Sequence, residues 1–231
     1  MGSDSTAGPG PGLSRAAVLG AEASAAERFW QLDRLHNHWA RPGLRRSWQW
    51  YLTFENSPEL RALVARCQAA IADDVYDPVA LDSLHLTLDR IAANDAITST
   101  QIAAVAAAGR RVCARLRPFD ITTGSLAGTA GALGLAVGPV GPLRQLRAAL
   151  HEATHSVLPT APPLSARFEP HVSIAYCNTD DVPAAQAHTA VRTLQALPAA
   201  TGTVTAAVLV DLERRERTYV WRPVASIPLS S

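Results

Sequence analysis

Two short segments hold side chains suited to acid–base chemistry. One reads Leu84-His85-Leu86-Thr87-Leu88, the other Pro170-His171-Val172-Ser173-Ile174-Ala175-Tyr176. Each sets a histidine two residues before a hydroxyl, with apolar residues between and after. Strict alternation of this kind predicts a half-buried strand, on which residues i and i+2 share a face. His85 and Thr87 then face one way, with Leu84, Leu86 and Leu88 behind them. His171 and Ser173 share a face, with Val172, Ile174 and Tyr176 behind. Imidazole titrates near neutrality and can give or take a proton, while a hydroxyl can donate to an oxyanion. Presented twice, the pair suits an acid–base reaction at phosphorus.

A rival motif is His151-Glu152-Ala153-Thr154-His155, which matches the H-E-x-x-H pattern of zinc hydrolases. It would set two imidazoles on one helix face with Glu152 as general base. The apolar stripe of that helix, Leu143, Leu146, Leu150 and Val157, runs well away from both histidines. The pair is therefore expected on a flank or the solvent face, as an ordinary surface pair. No third ligand is evident: Glu169 and His171 are candidates, but Pro170 places them on a strand. No metal and no other cofactor is expected.

Around the two motifs stand further candidates. Tyr51 and Thr53 share a face of an early strand, where Tyr51 could stack on a base or simply pack. Arg90 follows the first motif and Arg167 precedes the second, so either could steer phosphate or merely be solvated. Arg45, Arg46, Arg214, Arg215 and Arg217 read as solvated turns rather than an RNA rim, given their acidic neighbours.

These side chains need elements to hold them. The sequence has 231 residues, 48% hydrophobic and 18% charged, with a formal net charge of +1. That is ample for a core, and it offers no global field for nucleic acid or an anionic membrane. Phosphate recognition must be local. Every basic residue other than histidine is Arg. Cys67, Cys113 and Cys177 form neither a disulfide framework nor a metal spacing. With no signal-like start and no membrane-length apolar run, a cytoplasmic protein is expected, taken as a monomer. Residues 1–20 read as a disordered Gly/Pro/Ser/Ala tail and 21–45 as an N-terminal helical extension, with a helix over 21–39. Strands are expected at Trp48–Phe54, both motifs, Phe119–Leu126, Leu133–Val137, Thr203–Glu213 and Thr218–Ile227. Helices are expected after Ser57-Pro58, after a capping box at Thr98-Ser99-Thr100-Gln101, after Gly141-Pro142 and from Val182 to Leu197. In each half a helix precedes the histidine strand and another follows it. The echo suggests two similar lobes, each giving one histidine strand to a shared cleft.

With both motifs in strand context, the second inside Phe168-Glu169-Pro170-His171-Val172-Ser173-Ile174, the chain resembles the 2H phosphoesterase superfamily, the 2′–5′ RNA ligase and cyclic phosphodiesterase group. The resemblance covers roughly residues 46–228. It implies a bilobal α+β fold over 46–231, with two antiparallel sheets flanked by helices around a central cleft. It also implies metal-independent hydrolysis of a 2′,3′-cyclic or 2′-linked nucleotide or RNA-end phosphodiester, with possible 2′–5′ ligation. Thr87 and Ser173 would bind the phosphate; we assign His171 to activate water and His85 to protonate the leaving oxygen, while the pseudo-symmetry of the motifs permits the reverse and ligation would swap the roles. Family members often continue the first motif toward an aromatic residue and a glycine. Here Asp89, Arg90, Ile91 and Ala92 follow, which bears on the substrate. The alternatives are a nucleotide-binding protein of this fold without turnover, and the zinc hydrolase of His151 and His155.

Overall fold

The computed structural model describes residues 26–40, 42–72 and 74–230. The expected tail lies outside these residues, as does the start of the expected N-terminal helix. Within the described part, residues 26–30 are helical and the chain then turns. Beyond it the chain is not helical: Leu35 is buried, Leu32 and Trp39 are half-buried and His36 is exposed. Strand β1 (Arg34–Leu35) pairs with β8 (Val182–Pro183), and Leu35 and His38 are both buried. Spacing alone did not distinguish that run from a helix.

The remaining strands form two antiparallel sheets. The first has the order β11-β10-β2-β4, from β2 (Arg46–Thr53), β4 (His85–Ala93), β10 (Ala206–Arg214) and β11 (Tyr219–Pro228). The second has the order β3-β7-β6-β5-β9, from β3 (Tyr76–Pro78), β5 (Phe119–Thr129), β6 (Ala132–Gly138), β7 (His171–Cys177) and β9 (Thr201–Val204). Four helices flank them: α1 (Pro58–Gln68), α2 (Ser99–Cys113), α3 (Val140–Val157) and α4 (Ala185–Leu194). The protein is an α+β fold with one histidine strand in each sheet.

Local chemistry explains several boundaries. Proline opens α1, where its missing N–H costs nothing. The capping box forms at α2: the Gln101 amide donates to Thr98 Oγ1 at 3.2 Å and the Thr98 amide to Gln101 Oε1 at 2.9 Å. Cys67 and Cys113 are buried on apolar helix faces, as expected. The strand expected over Thr203–Glu213 is divided. Residues up to Val204 pair with β5 in the second sheet, and from Ala206 the chain pairs with β2 and β11 in the first. No glycine or proline marks the change at Thr205.

The lobes are not the two halves of the sequence. Helix α1 leaves the first sheet after β2 and packs against β7 of the second, before the chain returns as β4. Helix α3 leaves the second sheet after β6, packs against β4 of the first, and the chain returns as β7. Each helix that precedes a histidine strand thus supports the other one.

Most of the buried apolar side chains form one contiguous cluster spanning both sheets. Trp50 anchors it from β2, fully buried, with its indole N–H donating to Thr154 Oγ1 of α3 at 3.0 Å. A methyl group on Gly109 of α2 would stand 2.9 Å from the Trp50 ring, so the two elements meet there at contact distance. Helix propensity favours alanine over glycine by about 1 kcal/mol at such a position. Overpacking a rigid buried indole costs about 1–3 kcal/mol and outweighs it. Gly109→Ala is expected to lower the melting temperature; calorimetry showing a rise would mean that the indole moves aside freely.

Candidate active site

Strands β4 and β7 belong to different sheets and meet across a cleft of about 480 Å³. Thr87, His171 and Ser173 line it, together with Asp89, Arg90, Arg147, Arg167, Glu169 and Phe168. Its floor is made of small residues of β5 and β6, among them Gly128, Ala132, Gly134 and Ala136. Gly134 pairs with Ser173, and a methyl group there would press the Val172 carbonyl at 3.1 Å and the His171 ring at 3.4 Å.

The two imidazoles are held alike. His85 Nδ1 lies 2.8 Å from the Ser83 carbonyl, and His171 Nδ1 lies 2.8 Å from the Glu169 carbonyl, two residues upstream in each case. A carbonyl only accepts, so Nδ1 carries the proton in both rings. In the neutral form Nε2 is left with a lone pair, ready to take a proton.

Their surroundings differ. His171 is exposed, whereas His85 is half-buried in an aromatic box. The Tyr51 ring stacks on it at 4.1 Å between centroids and 8° between planes, and Trp221 meets it edge-on at 6.2 Å. The Trp221 indole also donates to the Ser83 carbonyl at 3.2 Å. His85 is not part of the cleft lining; it borders a separate pocket of only about 20 Å³ with Tyr176 and Tyr219. Burial pushes the His85 imidazole down to about 4, against the support of the Ser83 carbonyl, and the charge of His171 adds to the depression.

Tyr51 therefore does not face a base. It is 1% exposed and outside the cleft lining, and its partner is His85 itself. Its hydroxyl bonds the side chain of Thr87, its cross-strand neighbour. Burial holds that phenol protonated well above its usual range. Thr53 pairs with His85 across the ladder and likewise does not line the cleft. Arg90 and Arg167 do line it, and Arg167 is paired with Glu169 at 3.2 Å. Burial acts to raise Glu169, but hydrogen bonds from Arg28 and Arg167 outweigh it and hold the carboxyl below the usual range. Tyr176, expected behind the motif, turns to the His85 side, because Ile174 is an extra residue between Ser173 and Ala175 in the β6–β7 register.

The H-E-x-x-H helix is occupied differently than a surface pair would be. His151 Nδ1 lies 2.7 Å from Asp89 Oδ2, and His155 Nε2 lies 3.2 Å from the Pro162 carbonyl. Packing α3 across β4 brings Asp89 to the helix and half-buries both rings. Among the described residues no group of three His, Cys, Asp or Glu side chains is placed to hold a metal ion. Nor is any described helix long and apolar enough to cross a membrane.

Several residues of the site were missed in the sequence: Trp221, Tyr219, Asp89, Arg147 and Gln68. Arg147 and Gln68 did carry a signal. Each is a polar residue on the apolar stripe of its helix, Arg147 between Leu143 and Leu150, and Gln68 between Val64 and Ile71.

Residues 57–216 match the family model described as the 2′-5′ RNA ligase superfamily. The chain belongs to that superfamily. This is the 2H phosphoesterase group that the two motifs suggested. Solved structures share the fold at low identity. TT0787 of Thermus thermophilus is 21% identical, with a TM-score of 0.60 over 79% of this chain and 97% of that one. E. coli LigT complexed with ATP is 18% identical, with a TM-score of 0.58 over 80% of this chain and 99% of that one. LigT has also been solved with NADP+ and with 3′-AMP. No protein of curated function matches this chain.

The buried imidazole has a thermodynamic signature. Between the unfolded value near ~6.5 and the folded value of about 4, the unfolded chain binds a proton at His85 that the native state does not. Stability then falls as pH is lowered through this window, by at most about 1.4 kcal/mol per unit from this group. Denaturant titrations are expected to show a shallower acid slope for His85→Asn than for wild type. Parallel slopes would mean that His85 is solvated.

Proposed function

We propose that this protein is a metal-independent phosphodiesterase that opens 2′,3′-cyclic or 2′-linked nucleotide phosphodiesters, with His85 and His171 as its proton-transfer pair. The observation that carries the reading is the matched tethering of the two imidazoles. Both are fixed through Nδ1 to a carbonyl, on strands of opposite sheets that meet at one cleft; His171, Thr87 and Ser173 line it, and His85 stands two residues before Thr87 on β4. Family membership and the nucleotides bound to LigT support the substrate class.

In hydrolysis one imidazole takes a proton from water as the water oxygen bonds to phosphorus. The other protonates the departing ribose oxygen, leaving a nucleoside monophosphate. Thr87 and Ser173 donate to the non-bridging oxygens as charge builds on them. Held neutral by burial, His85 suits the role of base, and His171 at the open edge suits the acid. This is the reverse of the order assigned from the sequence, where the pseudo-symmetry of the motifs permitted either. Arg90, Arg147 and Arg167 bring positive charge to the cleft against Asp89 and Glu169, which offsets the anionic substrate locally.

Wild-type protein is expected to hydrolyse nucleoside 2′,3′-cyclic phosphates in excess chelator. His85→Ala and His171→Ala are each expected to lower kcat at least ~100-fold, the scale of a lost general acid or base. With His85 as base, the acidic limb of the kcat/KM profile should fall only as pH approaches about 4. Near-normal turnover by His171→Ala, or abolition by chelator, would overturn the mechanism. Tight nucleotide binding without turnover would make this a binding protein.

A further inference from the structure

Both histidine strands are irregular at the same place. In the β2–β4 ladder Tyr51 pairs with Thr87 and Trp50 with Asp89, so Leu88 is an extra residue. In the β6–β7 ladder Gly134 pairs with Ser173 and Leu133 with Ala175, so Ile174 is an extra residue. Each bulge falls on the residue just after the motif hydroxyl. A bulge bends its strand and re-aims its neighbours, and it takes a carbonyl out of the ladder. A carbonyl so displaced needs another donor.

The donors come from the helices. Arg147 Nε of α3 donates to the Leu88 carbonyl at 2.8 Å. Gln68 Nε2 of α1 donates to the Ile174 carbonyl at 2.9 Å and to the Val79 carbonyl at 2.7 Å. Helix α3 precedes the second motif in the chain and holds the bulge after the first. Helix α1 precedes the first motif and holds the bulge after the second. Gln68 is not part of the cleft lining, so its role is separable from substrate contact.

We propose that Gln68 and Arg147 are a reciprocal pair of positioning residues, each fixing the bulge that aims the phosphate-binding hydroxyl of the opposite lobe, Ser173 for Gln68 and Thr87 for Arg147. The donors do different amounts of work. The Ile174 carbonyl also accepts from the Val79 amide at 2.9 Å, so removing Gln68 leaves that carbonyl paired, while the Val79 carbonyl loses its side-chain donor. Arg147 is nearly buried, also donates to the Ser165 carbonyl at 3.0 Å, and lies 3.9 Å from Asp89. Removing it strips a buried carboxylate of a nearby cation, and its loss mixes stability with position. Gln68 is therefore the residue to test.

The inference rests on the proposed phosphodiesterase reading for its kinetic effect, but not for its structural one. Backbone NMR of Gln68→Leu is expected to keep the native pattern, with shift changes concentrated at Ser173, Ile174 and Ala175. On a nucleoside 2′,3′-cyclic phosphate, kcat is expected to fall about tenfold with KM little changed, because an ill-aimed donor costs transition-state stabilisation. The same substitution in a Ser173→Ala background is expected to change kcat less than about twofold, since no hydroxyl is left to aim. Unmoved Ser173 signals, or an equal loss in both backgrounds, would overturn the proposal. If the wild type turns over no cyclic phosphate, the catalytic reading fails, and the NMR shifts still decide whether Gln68 sets the bulge.

Discussion

Antiparallel pairing of β2 with β4, and of β6 with β7, is the constraint on which this molecule depends. In each case the chain between the paired strands contains a helix that must be stowed elsewhere, and each is stowed on the other sheet. The two lobes are therefore interlocked. Neither has a complete set of supports without chain that belongs, by its strands, to the other. The meeting of β4 and β7 at the cleft follows from this: each strand is backed by a helix whose own connections lead into the opposite motif. A site that needs two groups on opposite sides of one phosphorus atom gains from such a frame, because proton transfer tolerates little error in distance.

Within that frame the two histidines share a tether and differ in environment. Tyr51, Trp221 and the tyrosines beyond them strip water from His85, while His171 sits at an open edge. Matched motifs thus acquire unlike surroundings, and burial lowers the proton affinity of His85. Tyr51 serves both members of the first motif, stacking on the imidazole and bonding the threonine hydroxyl. The ladder puts Thr87 opposite this buried phenol, so the two hydroxyls meet.

Much of this was legible in the sequence. Alternation placed His85 with Thr87 and His171 with Ser173 on strands, because period two survives in any sheet of this kind. The capping box at Thr98 and the proline start of α1 were readable for the same reason: they are local. What was not legible is non-local. The run from Leu35 to His38 buries Leu35 and His38 without being helical, since an extended segment paired with β8 accepts the same residues. The passage from β9 to β10 at Thr205 leaves no mark, because both sides of it are strand. The bulges at Leu88 and Ile174 lie outside any simple alternation, and the second flips Tyr176 to the His85 side. Nothing in an alternating pattern shows where a residue goes unpaired. The role of His151 could not be seen without knowing that Asp89 lies across from it. Polar residues on apolar stripes, Gln68 and Arg147, were the one visible trace of these long-range demands.

The passage at Thr205 also bears on the order in which the molecule can form. Strands β10 and β11 are the last of the described elements, and β10 lies between β11 and β2. Until they emerge from the ribosome, β2 and the first histidine strand are paired only with each other and depend on α3 for cover. The second sheet, by contrast, has all its strands once β9 has been made. On the ribosome the later motif's sheet is whole first, and the earlier motif waits for β10 and β11.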